Sequence, residues 1–233
     1  MDARPILPEL LGRLRTVLKT PRLRERAQSY REEVANSVSH GVGLFAAVIA
    51  AGILIYAALG SGDTTRTVAC TVYAITMVLM FAASTVYHGL PRGRAKHVCR
   101  IIDHGAIFLL IAGTYTPLML GVLRGTLGWT LLTLVWAAAI TGVVLTAKSR
   151  VRYPTLSTAV YLGLGWLIVV GAKPLWERMN HWGLLWIAAG GFAYTAGVAF
   201  FAADRLRYGH LVWHVFVLIG SACHYIAVKL YAF

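Results

Sequence analysis

The chain has 233 residues, 58% of them hydrophobic and only 13% charged, with a mean hydropathy of +0.66. A water-soluble domain of this length carries about a quarter charged residues and has too little interior for so much apolar surface, so a soluble fold is excluded and lipid is left as the solvent. The formal net charge of +13 comes with no nucleic-acid recognition motif, so the surface it implies as a partner is an anionic membrane leaflet rather than nucleic acid.

Residues 1–33 form a basic amino-terminal segment containing Arg4, Arg13, Arg15, Lys19, Arg22, Arg24, Arg26 and Arg31. Within it, residues 8–31 mix leucines with arginines. That pattern suits either an amphipathic stretch lying on the membrane or a loosely ordered tail, because Pro21 interrupts any helix. The first long apolar run comes too late for a signal peptide, so it is expected to remain as a helix.

Residues 34–233 read as the membrane domain. A crossing needs about 20 mostly apolar residues, and candidates fall near 38–59, 67–89, 102–122, 128–147, 155–172, 182–203 and 210–231. Between them, "GSGDTTR", "PRGRAKHVCR", "LRGTLG", "KSRVRYP", "KPLWERMN" and "DRLRYG" carry the Gly, Pro and charged residues of loops. The fold class is therefore all-α, a bundle of seven transmembrane helices in a cell membrane. Assigning breaks alternately to the two sides puts 17 of the 22 Lys and Arg residues on the side of the amino terminus and five on the other. The positive-inside rule makes the richer side cytoplasmic, with the amino terminus inside and the carboxyl terminus outside. Cys70, Cys99 and Cys223 have no paired spacing and suggest neither a disulfide framework nor a thiolate metal site.

Ionisable groups inside a membrane are costly, so their depth is informative. His40 is expected to begin the first helix and His88 to close the second. Asp103 would open the third, and His210 and His214 the seventh. All of these lie at the cytoplasmic end. His210 and His214 are one helical turn apart and can chelate one ion. His88 would supply a third nitrogen, giving the three-ligand pattern of a catalytic zinc site, with Asp103 placed to touch a bound water or orient a histidine. Ser84 lies one turn before His88 on the same face, placed to hydrogen-bond a substrate carbonyl or the water. Taken singly, each has a plainer reading: interfacial anchors for the pair, a helix-end histidine for His88, an amino-terminal cap for Asp103. His224 is about 15 Å deeper than His214 and is expected to make an interhelical hydrogen bond instead. His104 is read as packing or supporting the site, and His97 and His181 as solvated.

The stretches "EEVANSVSHG" (32–41), "STVYHGLP" (84–91), "RIIDHGAIFLLIAGTYTPLML" (100–120), "YLGLGWLIV" (161–169) and "HLVWHVFVLIGSACHYIAV" (210–228) resemble the hemolysin III family. This is the bacterial branch of the progestin and adipoQ receptor superfamily, which includes the adiponectin receptors. The likeness runs from about Glu32 to the carboxyl terminus. Glu33, Asn36 and His40 match its E-x2-N-x3-H motif, Ser84 and His88 followed by Asp103 match S-x3-H and D, and His210 and His214 match H-x3-H. The resemblance implies seven crossings with an interior amino terminus. It also implies zinc on His88, His210 and His214, with Asp103 as the partner of the water at the metal. Its eukaryotic members point to hydrolysis of ceramide-like amides, so a zinc-dependent hydrolase of a lipid amide or ester is the first functional expectation. A non-catalytic membrane-homeostasis or lipid-sensing protein with structural zinc is the second. A pore-forming cytolysin is the third and fits less well, since this chain is integral from the start.

Overall fold

The computed structural model describes residues 26–149, 151, 154–203 and 205–233, so the reading of 8–31 falls almost wholly outside the described residues. Among them the elements are α1 Tyr30–Gly60, α2 Thr64–Gly89, α3 Arg94–Pro117 with a π-turn Leu118–Val122, and α4 Thr126–Ser149. These are followed by α5 Pro154–Trp166, a 3-10 turn Leu167–Gly171, α6 Ala172–Arg178, α7 His181–Ala202 and α8 Gly209–Tyr231. They make seven crossings long and apolar enough to span a bilayer, with α5, the 3-10 turn and α6 together forming the fifth. No strand occurs among the described residues.

The helices exceed the expected spans. α1 has 31 residues, about 46 Å at 1.5 Å per residue, against a hydrocarbon core of about 30 Å. Ser29 caps it with a capping box: its hydroxyl accepts from the Glu32 amide while the Glu32 carboxylate accepts from the Ser29 amide. Two expectations are corrected here. His40 lies ten residues inside α1, and Asp103 lies nine residues inside α3, because "RAKHVCR" is helix and the loop shrinks to residues 90–93. "KPLWER" is helix as well, carrying the fifth crossing to Arg178.

One stripe of α1 faces inward: Glu32, Asn36, His40, Gly43, Ala47, Ala51, Leu54 and Ala58, at spacings of three and four. The opposite face presents Val38, Phe45 and Ile53 outward, as a lipid-facing surface does. α2 and α8 flank α1, while α3 packs on α2 and α4, and α7 on α8. α3 is the central crossing, 67% buried over its apolar window against 11% for α7. Pro117 cannot donate to the ladder, and the helix relaxes into the π-turn that follows. Where α5 loosens at Trp166, the Tyr115 hydroxyl donates to the carbonyls of Leu164 and Gly165, both at 2.9 Å. Backbone groups freed inside a membrane are thereby satisfied by a neighbouring helix.

Candidate metal centre

The inward stripes of α1, α2 and α8 meet at the end of the bundle where α1 begins. His88, Ser84, Phe81, Met80 and Met77 follow one another along α2 with helical spacing and are all buried. α8 begins at Gly209, so His210 and His214 occupy its first and second turns. One ring nitrogen from each of His88, His210 and His214 lies within 4.8 Å of the others. The ring centroids stand 5.0 Å apart for His88–His210 and for His88–His214, and 4.7 Å for His210–His214. His88 and His214 are buried and His210 partly exposed.

Hydrogen bonds set the tautomers. His88 Nδ1 lies 2.8 Å from Glu33 Oε2, and a carboxylate only accepts, so the proton sits on Nδ1 and the lone pair on Nε2. His214 Nδ1 lies 3.2 Å from the Asn36 carbonyl, again an acceptor, and 3.1 Å from the Ser39 hydroxyl. Both rings thus turn a basic Nε2 away from their anchors. His88 Nε2 is buried and has no hydrogen-bond partner among the described residues. A buried polar nitrogen left in that state costs about 1–3 kcal/mol, and a cation bound there removes the cost. The anchoring of one ring nitrogen by a carboxylate or carbonyl is the usual support of a metal-binding histidine.

Lys96 was counted in the sequence only as a charge. Its ammonium lies 3.0 Å from Glu33 Oε2, the same oxygen that meets His88. It also donates to the carbonyls of Tyr87 (2.9 Å) and Leu90 (3.1 Å), closing the carboxyl end of α2, and lies over the Tyr87 ring. No spacing could have revealed it, since its reach depends on how tightly the chain turns at residues 90–93. Glu32 was also missed. It pairs with Arg26 and accepts from the Tyr208 amide at 3.0 Å, so it ties the start of α1 to the turn preceding α8. Tyr208 has φ 59°, a left-handed conformation. The Ser29-x-x-Glu32 spacing was the available signal for this capping residue.

The other expected residues are placed as follows. Ser84 is buried, and its hydroxyl interacts with the Asp103 carboxylate. Asp103 is partly exposed beside the histidines and does not join the converging nitrogens. His40 is buried and stacks on His214. Asn36 is fully buried, its carbonyl on His214 and its side-chain amide donating to Gln28. His104 is buried, and its carbonyl accepts from the Tyr161 hydroxyl at 2.8 Å. His224 Nε2 reaches the Ile187 carbonyl of α7 at 3.2 Å, the interhelical bond expected of it. His97 and His181 are exposed, and Cys70, Cys99 and Cys223 are free thiols.

Residues 28–225 match the family model described as "Haemolysin-III related". The chain is 41% identical over 212 residues to "Hemolysin-3" of Bacillus cereus, covering 91% of this chain and 97% of that protein. It is 39% identical over 201 residues to "Hemolysin-3 homolog" of Bacillus subtilis (strain 168), covering 86% and 94%. It is also similar to the human "Monocyte to macrophage differentiation factor", 26% identical over 215 residues, covering 87% and 85%. With a family match spanning most of its length and seven membrane-crossing helices beneath it, this chain belongs to the haemolysin-III family of integral membrane proteins.

Proposed function

We propose that this protein is a zinc-dependent membrane hydrolase acting on a lipid amide or ester, with its centre at the cytoplasmic end of the bundle. The observation that carries the reading is the convergence of three histidine nitrogens from α2 and α8, one of them buried and unpartnered. An all-imidazole donor set suits zinc. His88, His210 and His214 would hold the ion, which when bound supplies Lewis acidity and lowers the pKa of water at neutral pH.

The chain's own residues complete the site. Glu33 and the Asn36 carbonyl hold two ligand rings in the tautomer a cation needs. Asp103 is the group we assign to accept a proton, with the Ser84 hydroxyl interacting with its carboxylate. The partial exposure of Asp103 and His210, beside the sealed His88 and His214, leaves access for a lipid from the side flanked by α3 and α8. The apolar outer faces of the helices guide an acyl chain while its polar head meets the histidines.

A second reading is favoured by a separate observation. α1 packs against both α2 and α8, which make little direct contact with each other, so an ion on His88, His210 and His214 would staple two helices that otherwise scarcely meet. In that reading the metal is structural and the protein senses lipid or maintains the membrane. Two measurements separate the readings. Elemental analysis of detergent-purified protein should give one zinc per chain, and less than a tenth of that in His88→Ala or in the double variant His210→Ala, His214→Ala. Metal retained in those variants would remove the centre. Incubation of the zinc-loaded protein with N-acyl and O-acyl lipids should release fatty acid. Failure to release any would leave the staple.

A further inference from the structure

We propose that His40 is a fourth histidine of this site, one that does not hold the metal but hydrogen-bonds the polar group of the ligand bound beside it. The inference rests on the metal reading and assigns a new residue to it.

His40 is 2% exposed, and both its ring nitrogens are buried with no hydrogen-bond partner among the described residues. Its ring lies parallel to that of His214, with centroids 3.5 Å apart and an interplanar angle of 10°. The edge of Phe81 closes on it at 5.2 Å. These two contacts hold the plane of the ring. It touches one of the three converging rings, that of His214, while standing outside their set.

Two orphaned nitrogens in one buried ring are expensive, about 1–3 kcal/mol each, and buried polar groups in folded proteins are nearly always satisfied. If packing were the only task here, a phenyl or isobutyl group would do it without that cost. A second group on the same inward stripe has the same property: Asn36 Oδ1, one turn earlier, is also buried without a partner among the described residues. A neutral imidazole offers one donor and one acceptor. Together with Asn36 Oδ1, this stripe of α1 therefore carries one donor and two acceptors without partners among the described residues. The ligand that satisfies them carries both a carbonyl-type oxygen and an N–H or O–H.

The test uses the full chain in detergent, stripped of metal and loaded with Co(II), whose visible absorption reports its coordination. Acetohydroxamate, which has a carbonyl oxygen and N–H and O–H donors, is the probe. The unaltered protein should take up one cobalt per chain and change its spectrum on hydroxamate binding. His40→Phe keeps a flat ring against His214 but removes the nitrogens. It should keep the cobalt and bind hydroxamate roughly tenfold or more weakly. His40→Gln, with a donor and an acceptor, should bind it more tightly than His40→Leu, a substitution of similar size. That second pair decides the matter if the Phe variant does not fold. Equal hydroxamate affinity in the unaltered, Phe and Leu proteins would overturn the proposal, as would loss of cobalt confined to the His40 variants, since His40 would then be holding the metal centre together. Failure of the unaltered protein to take up cobalt would instead overturn the metal reading, and this proposal with it.

Discussion

Glu33 stands between a ring nitrogen of His88 and the ammonium of Lys96, 2.8 Å from the first and 3.0 Å from the second. Its charge therefore raises the basicity of a ligand nitrogen and neutralises a lysine that caps α2. Glu33→Gln keeps an acceptor for His88 but removes the charge. Metal affinity should fall about tenfold to a hundredfold, read by competition with a chelator of known affinity, while the helical circular dichroism stays unchanged. An unaltered affinity would mean that the carboxylate serves only the lysine. Tyr73 offers the opposite test. It is fully buried, with its hydroxyl unpartnered among the described residues, and it lies 15 residues before His88 on α2, about 22 Å along the axis. At that distance it has no part in the metal centre. Tyr73→Phe removes an unsatisfied hydroxyl and should leave stability in detergent unchanged or raise it by about 1 kcal/mol, with full metal content. A marked fall in thermal midpoint would show that the hydroxyl has a partner bound in the intact membrane protein. The chelating pair was legible from its spacing, His88 was the candidate third nitrogen on depth, and the family resemblance implied all three; His88, His210 and His214 do converge. The anchors of their rings were not. A carbonyl such as that of Asn36 leaves no trace in side-chain chemistry, and Lys96 acts through a turn whose tightness is a property of the fold.

The seven crossings were legible as hydropathy, because lipid demands an apolar run of fixed length. Their ends were not, because helices here continue past the hydrocarbon into polar sequence. The first two turns of α1 are held by the Ser29–Glu32 capping box, and α3 begins with the basic "RAKH". Depth judged from the apolar run alone therefore placed His40 and Asp103 at helix starts, whereas both lie two to three turns inside. Close approach of α1 to its neighbours also depends on a residue with no side chain. A Cβ built on Gly43 would sit 2.8 Å from Phe81 and 2.5 Å from Leu218, so this glycine lets α1 lie between α2 and α8 one turn from His40. Small residues at such crossings are how membrane helices pack without a hydrophobic drive between them. Gly43→Val should push the three helices apart and lower metal content together with thermal stability, by about 2 kcal/mol or more. Gly52→Val, on the same helix with nothing within 4 Å of a built Cβ, should change neither. Equal behaviour of the two variants would show that the α1 contact does not position the centre.

At the scale of the molecule, the direction of the bundle decides which leaflet the histidine cluster meets. An odd number of crossings puts the two ends of the membrane domain on opposite sides, so one fact orients everything. The histidines gather at the end where α1 begins, and the alternate assignment of breaks in the sequence gives that end 17 of the 22 Lys and Arg residues. Lys and Arg resist transfer across a membrane held negative inside, and their excess in short loops decides which side stays cytoplasmic. On that orientation the histidine cluster would face the cytoplasmic leaflet, and the proposed activity would fall on lipids of that leaflet. A fluorescent protein that matures only in the cytoplasm, fused after Phe233, should be dark, and a phosphatase active only outside should be active at the same position. Substituting Arg92, Arg94 and Arg100 by Gln weakens the bias at one loop while leaving Lys96 on Glu33, and should produce a minor population in which both reporters exchange behaviour. A bright cytoplasmic reporter on the unaltered chain would turn the bundle over. The histidine cluster would keep its geometry, but its substrates would then have to come from the outer leaflet.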